Sequence, residues 1–280
     1  MITCKPQTMK IFITLFAFFL SLVSSGQSTP QETREKKTIS VAPAKLDFNL
    51  GRGQTSRQTV KISNTTSSPY QFSVELKDWE RDSVGKHNYF ENHDFKNSCA
   101  GWITLDKAFI NLKPGESENV IITMTVPDSP EAVTEMKWTM LVFATVAEKK
   151  INKSAKVSTE IIRRAGIGVH IYQTPPSITA KEVKMLDFAR VSDTIFRISC
   201  KNTGGLQVSP AFSVELSGLE NESNTVLGPF EFPLFPGQNR VVDFKIPSSL
   251  AKGKYLAVAL IDVGDDDVPL QAAQAEIEIN

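Results

Sequence analysis

The sequence predicts an all-β chain of two tandem antiparallel β-sandwiches behind an export signal. Three observations predict it. Helical periodicity is almost absent, and short runs alternate apolar with polar residues, as at Val60/Ile62, Phe72/Val74/Leu76 and Val120/Ile122/Met124/Val126; a period of two means one buried and one wet face. The pentapeptide Phe72-Ser73-Val74-Glu75-Leu76 recurs letter for letter as Phe212-Ser213-Val214-Glu215-Leu216. The chain opens with Lys10, an apolar run over 11–23 and the small residues Ser24-Ser25-Gly26, the pattern of a cleaved signal peptide.

The neighbours of the pentapeptide repeat in the same order. Leu46-Asp47-Phe48 precedes the first copy and Leu186-Asp187-Phe188 the second; Ile62-Ser63-Asn64-Thr65 is answered by Ile198-Ser199 and Asn202-Thr203. Leu112-Lys113-Pro114-Gly115-Glu116 is matched by Leu234-Phe235-Pro236-Gly237-Gln238, and each copy closes a strand at Val126-Pro127 or Ile246-Pro247. Collinear matches of this kind imply two copies of one folding unit. The Pro-Gly pairs mark tight turns, with proline presetting φ and glycine accepting a positive one. Roughly seven strands per copy at this spacing predict sandwiches of immunoglobulin type. The expected organisation is a signal peptide over 1–26, a flexible polar lead-in over 27–37, a first domain over 38–175 and a second over 176–280. Pro175-Pro176 forms a stiff joint between the two domains. An insertion between Trp79 and Gly101 lengthens the first copy and reads as a loop with at most a short hairpin.

Composition narrows the function. The whole chain carries 31 basic and 31 acidic side chains. A near-neutral chain has no broad field for nucleic acid or anionic lipid. No apolar stretch beyond the signal is long enough to span a membrane, so no integral segment is expected after its removal. The mature chain keeps Cys99 and Cys200, in different copies and at non-equivalent places, so disulfides are not its stabilising device.

The end of the first copy stands out. Val157, Ile161, Ala165, Ile167, Val169 and Ile171 share one parity, which Thr159 and Arg163 interrupt. About fifteen residues in one strand would span roughly 50 Å, more than a small sandwich needs. The upstream half is therefore expected to overhang as an exposed edge, which invites a partner strand. Lysines at 149, 150, 153 and 156 precede it; they read as a solvated, edge-guarding run, or as a handle for an acidic partner.

Candidate chemistry is sparse. His87, His93, Asp94 and Cys99 are types that zinc accepts, but their spacing matches no compact ligand pattern. Asp265-Asp266-Asp267 could offer carboxylates to calcium, yet fits a hairpin tip between flanking strands better. Gly166-Ile167-Gly168 reads as a close backbone approach or a bulge rather than a nucleotide loop. Trp79, Trp102 and Trp138 are expected in the core or core edge of the first sandwich. There is no Gly-x-Ser-x-Gly, triad or phosphate loop, so neither an enzyme nor a cofactor or metal site is expected.

The order of these elements resembles the periplasmic pilus-assembly chaperones of the PapD-like family. Leu112-Lys113-Pro114-Gly115-Glu116 and the strand over 161–175 with its Tyr172-Gln173-Thr174-Pro175 end carry most of the resemblance, best over 39–176. It implies two immunoglobulin-like sandwiches, the last strand of the first lending an apolar row to an incomplete subunit, and a basic pair in the cleft anchoring that subunit's C-terminal carboxylate. By position the family's first-strand arginine falls at Lys45 and its last-strand lysine near His170; the donated row includes Ile161, Arg163 and Ala165. The expected function is an exported, non-enzymatic, chaperone-like protein that binds a protein partner by strand addition in pilus or cell-surface assembly. Partner contacts are expected at Lys45, Val157, Ile161, Arg163, Ala165, Ile167, Val169 and His170. The alternative is a structural or adhesive surface protein with the same two sandwiches. Localisation is periplasmic or otherwise exported, with the cell surface possible.

Overall fold

In residues 39–173 the period-two alternation builds two sheets around one apolar core. The computed structural model describes residues 37–90, 95–146 and 165–279. The expected signal peptide, nearly all of the lead-in and the approach over 147–164 lie outside the described residues. The first ten strands are β1 (Ile39–Ala42), β2 (Lys45–Phe48), β3 (Thr55–Asn64), β4 (Tyr70–Arg81), β5 (His87–Phe90), β6 (Ile103–Leu105), β7 (Phe109–Leu112), β8 (Ser117–Thr125), β9 (Lys137–Thr145) and β10 (Gly166–Gln173). One sheet runs β1-β3-β8-β6, the other β2-β10-β9-β4-β5 with β7 on β4. Val60, Ile62, Val120, Ile122 and Met124 from the first meet Phe72, Val74, Leu141, Phe143, Val169 and Ile171 from the second. Each is buried, and burying such a side chain contributes about 1.5–3 kcal/mol. The pairing is antiparallel except between β2 and β10, which run parallel, with His170 opposite Lys45 and Gln173 opposite Phe48. Gln173 fixes that junction: its carboxamide accepts from Leu50 N (3.2 Å) and donates to Leu50 O (2.6 Å).

The second sandwich has seven strands: β11 (Val183–Ser192), β12 (Ile195–Asn202), β13 (Ala211–Gly218), β14 (Asn224–Glu231), β15 (Asn239–Lys245), β16 (Gly253–Asp262) and β17 (Gln271–Ile279). They form β11-β12-β15 and β14-β13-β16-β17, closed on Phe196, Ile198, Phe212, Val214, Phe244, Tyr255, Ala257 and Ile261. Among the described residues no strand pairs across 174–182.

The repeat is a repeat of hydrogen bonds as well as letters. Buried Asn64 donates through Nδ2 to Ser68 O (2.8 Å) and Leu112 O (3.2 Å); buried Asn202 donates to Leu206 O and Leu234 O (2.8 Å each). Gly115 N reaches Asn64 O (2.8 Å) and Gly237 N reaches Asn202 O (3.0 Å). Both glycines hold a positive φ, 81° and 78°, which a residue with a Cβ resists. Glu116 Oε2 accepts from Lys113 N, and Gln238 Oε1 from Phe235 N.

Three expectations are refined. Leu186-Asp187-Phe188 is not the twin of Leu46-Asp47-Phe48: β2 joins β10, whereas β11 joins β12 with a register shift between Met185 and Asp187, leaving Leu186 exposed. The insertion folds back as a hairpin, β5 pairing β4 from Arg81↔His87 to Asp78↔Phe90. Trp102 packs against the first core, but Trp79 and Trp138 sit outside it. Their parity is opposite to that of Phe72/Val74 and Leu141/Phe143, so they point away from the first core and join Phe235 of the second sandwich.

Candidate binding surface

Period two decides what the outer face of the six-stranded sheet carries. With Val169 and Ile171 inward, β10 turns Gly166, Gly168, His170 and Tyr172 outward; β9 contributes Trp138, Met140 and Val142, and β4 contributes Trp79. At one end this face is capped by Phe235, whose ring lies 5.1 Å from Trp79, 4.8 Å from Trp138 and 5.7 Å from Tyr172. At the other end no aromatic cap of this kind stands among the described residues. The two glycines leave space that the Met140 and Val142 side chains overlie. A mostly apolar groove of about 410 Å³ lies here, lined by Met140, Val142, Ala144, Ala165, Gly166 and Gly168 together with Glu75, Lys77 and Tyr89. The ladder with β9 is unbroken from Gly166↔Ala144 to Gln173↔Lys137, so the glycines serve close approach and not a bulge.

The backbone of β10 has one open edge. Thr145 N donates to Ala165 O (2.9 Å), whereas His170 N donates to Ala44 O (3.1 Å). Odd residues therefore serve β9 and even residues face the opposite edge. There β2 covers only 170–173. Gly166 and Gly168 present their N–H and C=O groups to an edge with no described strand on it.

Along the odd-numbered row burial falls away upstream: Val169 is fully buried, Ile167 half-buried and Ala165 exposed. From Val169 onward the row belongs to the first core. Val157, Ile161 and Arg163 lie outside the described residues, as do His93, Asp94 and the lysines of the approach.

Lys45 and His170 do come together, as direct neighbours across the parallel pair. Their charges are another matter. Lys45 Nζ pairs with Asp47 Oδ2 at 2.8 Å and lies 5.9 Å from the Tyr172 ring centroid. The His170 ring meets Trp79 edge-on at 4.9 Å, with His87 at 6.3 Å. Burial, then the neighbouring His87 and Arg81, hold its pKa below the ordinary 6.5. At neutral pH it is a neutral imidazole, so Lys45 alone supplies fixed charge to this pair.

Other candidates are dispersed. Cys99 is buried in the first core, and burial pushes its thiol well up. His87 stands on the outer face against Trp79 at 5.0 Å, so the two do not share a site. Asp265 pairs with Lys181 (2.6 Å) and accepts from Asp267 N (3.1 Å) in the tip between β16 and β17, as expected of a hairpin. Sequence reasoning missed Phe235, Arg81, Arg240 and Gln238, which gather where the sandwiches meet. The available signal was Phe235 itself, an aromatic at the turn position that Lys113 fills in the first copy.

No family model and no curated protein matches the sequence. Solved structures are similar to it in strand arrangement. A chaperone–tip adhesin complex of CFA/I fimbriae biogenesis matches at 11% identity over 85% of this chain and 98% of that chain, TM-score 0.47. The E. coli chaperone DraB matches at 13% over 87% and 97%, TM-score 0.43. The Salmonella enterica SafA pilin complex with the SafB chaperone matches at 9% over 87% and 98%, TM-score 0.43. Similarity at this level carries no functional argument.

Proposed function

We propose that this chain is a non-enzymatic, exported, chaperone-like protein that binds partner polypeptides by adding β10 and its upstream extension to the partner's sheet, in pilus or cell-surface assembly. The observation that carries the reading is the open edge of β10, with unpaired backbone groups at Gly166 and Gly168 beside an apolar groove. Main-chain hydrogen bonds supply the affinity and alternate side chains the register. Fading burial from Val169 to Ala165 supports a strand that rises out of its own core before meeting another. The sequence resemblance to the PapD-like chaperones points to the same strand. In this reading the contacts are Lys45, Val157, Ile161, Arg163, Ala165, Ile167, Val169 and His170, with Val169 acting by anchoring the strand in the core. The domains fall at 38–175 and 176–280, and the setting is the periplasm.

The test uses Gly168→Pro, which removes an edge-facing N–H and leaves the bonds to β9 in place. Affinity capture from the source cell's export compartment, with Ile161→Asp/Ile167→Asp alongside, should recover a surface-structure subunit with the parent chain. Recovery should drop at least about tenfold with both variants, since interfaces of this kind rest on a few such contacts. Equal recovery with folded variants rules out strand addition along this edge.

A further inference from the structure

The β4–β5 turn, at 82–86, is where the second sandwich touches the hairpin of the first: Val241 N donates to Ser83 O (2.8 Å), and the Arg240 guanidinium lies directly against Gly85. Arg81 stands at the base of the same hairpin, opposite His87. Arg240 is only 8% exposed and rests on the Phe232 ring, 4.3 Å from its centroid. Neither arginine has a carboxylate within ion-pair distance among the described residues, and the buried Nε of each lacks a hydrogen-bond acceptor. Asp82 accepts from Val84 N and Lys86 N through Oδ1, and its charge acts on Arg240 from beyond ion-pair distance.

Gln238, two residues before Arg240, adds a third idle donor. Its carbonyl oxygen accepts from Phe235 N, which fixes the amide and leaves Nε2 buried without a partner. Arg81 and Gln238 line a cavity of about 470 Å³, with Lys96 and Lys201 also on its wall and Glu80, Asp82 and Glu135 as its acids; Glu135 is paired with Lys96 and Lys137. Buried polar atoms are nearly always satisfied, and a buried charge with a second like charge near it favours a counter-charge. Burial, then the Arg81 charge, act against protonation of Arg240, and the Asp82 charge offsets them only in part.

We propose that Arg81, Arg240 and the Gln238 amide form a binding site for a small dianionic oxyanion of the phosphate or sulfate class, bridging the two sandwiches. Two permanently charged guanidiniums match a dianion in charge and present donors in fixed planes that suit tetrahedral oxyanions. The site is independent of strand addition and stands if that reading fails.

The experiment is thermal unfolding and calorimetric titration of the full chain in chloride buffer at constant ionic strength, with phosphate, sulfate or acetate as the probe. Phosphate and sulfate should raise the melting temperature saturably by several degrees, about what a ligand at 100 times its Kd gives a chain of this size, with one site per chain and a smaller effect of acetate. Arg81→Gln, a substitution at a half-exposed position, should weaken phosphate by at least about tenfold. In chloride alone it should leave the melting temperature unchanged or higher, because it relieves repulsion; a merely structural arginine would lower it. Equal shifts with chloride, or phosphate binding undiminished in Arg81→Gln and Arg240→Gln, overturn the proposal. An acetate effect as large as that of phosphate overturns the dianion assignment.

Discussion

Truncating Phe235 to alanine separates what ties the sandwiches together from what merely shapes a turn. Phe235 is 1% exposed and its ring contacts Trp79, Trp138 and Tyr172 of the first sandwich. Removing a buried phenylalanine ring costs about 3–5 kcal/mol through lost transfer energy and the cavity left behind. Aromatic pairs of this geometry contribute about 0.5–1.5 kcal/mol each beyond burial, part of which is already in that figure. An internal control exists at Lys113, which occupies the same place in the same Leu-x-Pro-Gly turn and donates the same backbone bond, but is exposed. Lys113→Ala should therefore stay within about 0.5 kcal/mol of the parent. The assay is urea unfolding followed by tryptophan emission, since two of the three tryptophans touch Phe235. Phe235→Ala should lower the midpoint and shift the native emission toward the red as Trp79 and Trp138 meet water. A loss below about 1 kcal/mol with unchanged emission would refute the view that this ring locks the two sandwiches.

Three further outcomes follow from the same contacts. Asn64→Ala and Asn202→Ala should each cost about 2–4 kcal/mol by orphaning two carbonyls, and the aspartate variants more, because a carboxylate faces those carbonyls without a proton to donate; chemical denaturation of the four variants checks it. His170 and His87 both titrate below 6.5, through burial first, then His87 and Arg81 for the former and Arg81 for the latter. The unfolded chain therefore takes up protons before the folded one does. Stability is full above about pH 6.5 and declines as the pH falls below it. A His87→Asn/His170→Asn chain should show a flatter melting temperature between pH 7 and pH 5; an unchanged slope refutes the attribution. Surface pair Arg197–Asp243 is bidentate at 2.7 and 2.8 Å but exposed, so Arg197→Ala should leave the urea midpoint close to the parent's.

Much of the fold was legible because burial in a sandwich is written locally. Alternation along Phe72/Val74/Leu76 and Val120/Ile122/Met124 named the inward face correctly, and the twin Asn and Pro-Gly turns marked equivalent positions. Leu186 misled because a bulge changes which face a residue takes, and no letter in the sequence announces it. Trp79 and Trp138 were legible in principle: each has the wrong parity for its own core. Size and apolarity pointed inward, but the first sandwich has a second partner surface, and the pairing that buries these rings comes from a residue more than 90 positions away. Arg240 was unreadable for a different reason. It shares the inward parity of Val242 and Phe244 on β15, but its charge argues against an interior position; it sits at the strand's end on the Phe232 ring and against Gly85 of the β4–β5 turn.

The two copies also treat their last strands in opposite ways, which supports the proposed placing of binding in the first. β17, at the edge of its sheet, is guarded: Gln274, Glu276 and Glu278 stand exposed along it, and Arg190 donates through Nη1 to Glu278 O at 2.7 Å. Charged side chains and a capped carbonyl are the usual means of keeping a free edge from pairing with another chain. Among the described residues β10 has neither device over 166–168. Its edge-facing residues are glycines, which leave the sheet face beside that edge open, and the groove on that face is mostly apolar, with Glu75, Lys77 and Tyr89 also lining it. Two copies of one unit share the same aggregation hazard at the same strand. One copy is protected against it, and among the described residues the other shows no such guard next to a segment whose burial fades outward. If the bare edge were only a defect, charging it should cost nothing: Gly166→Lys would leave partner recovery intact. If it is the docking edge, that single lysine should abolish recovery while the chain stays folded.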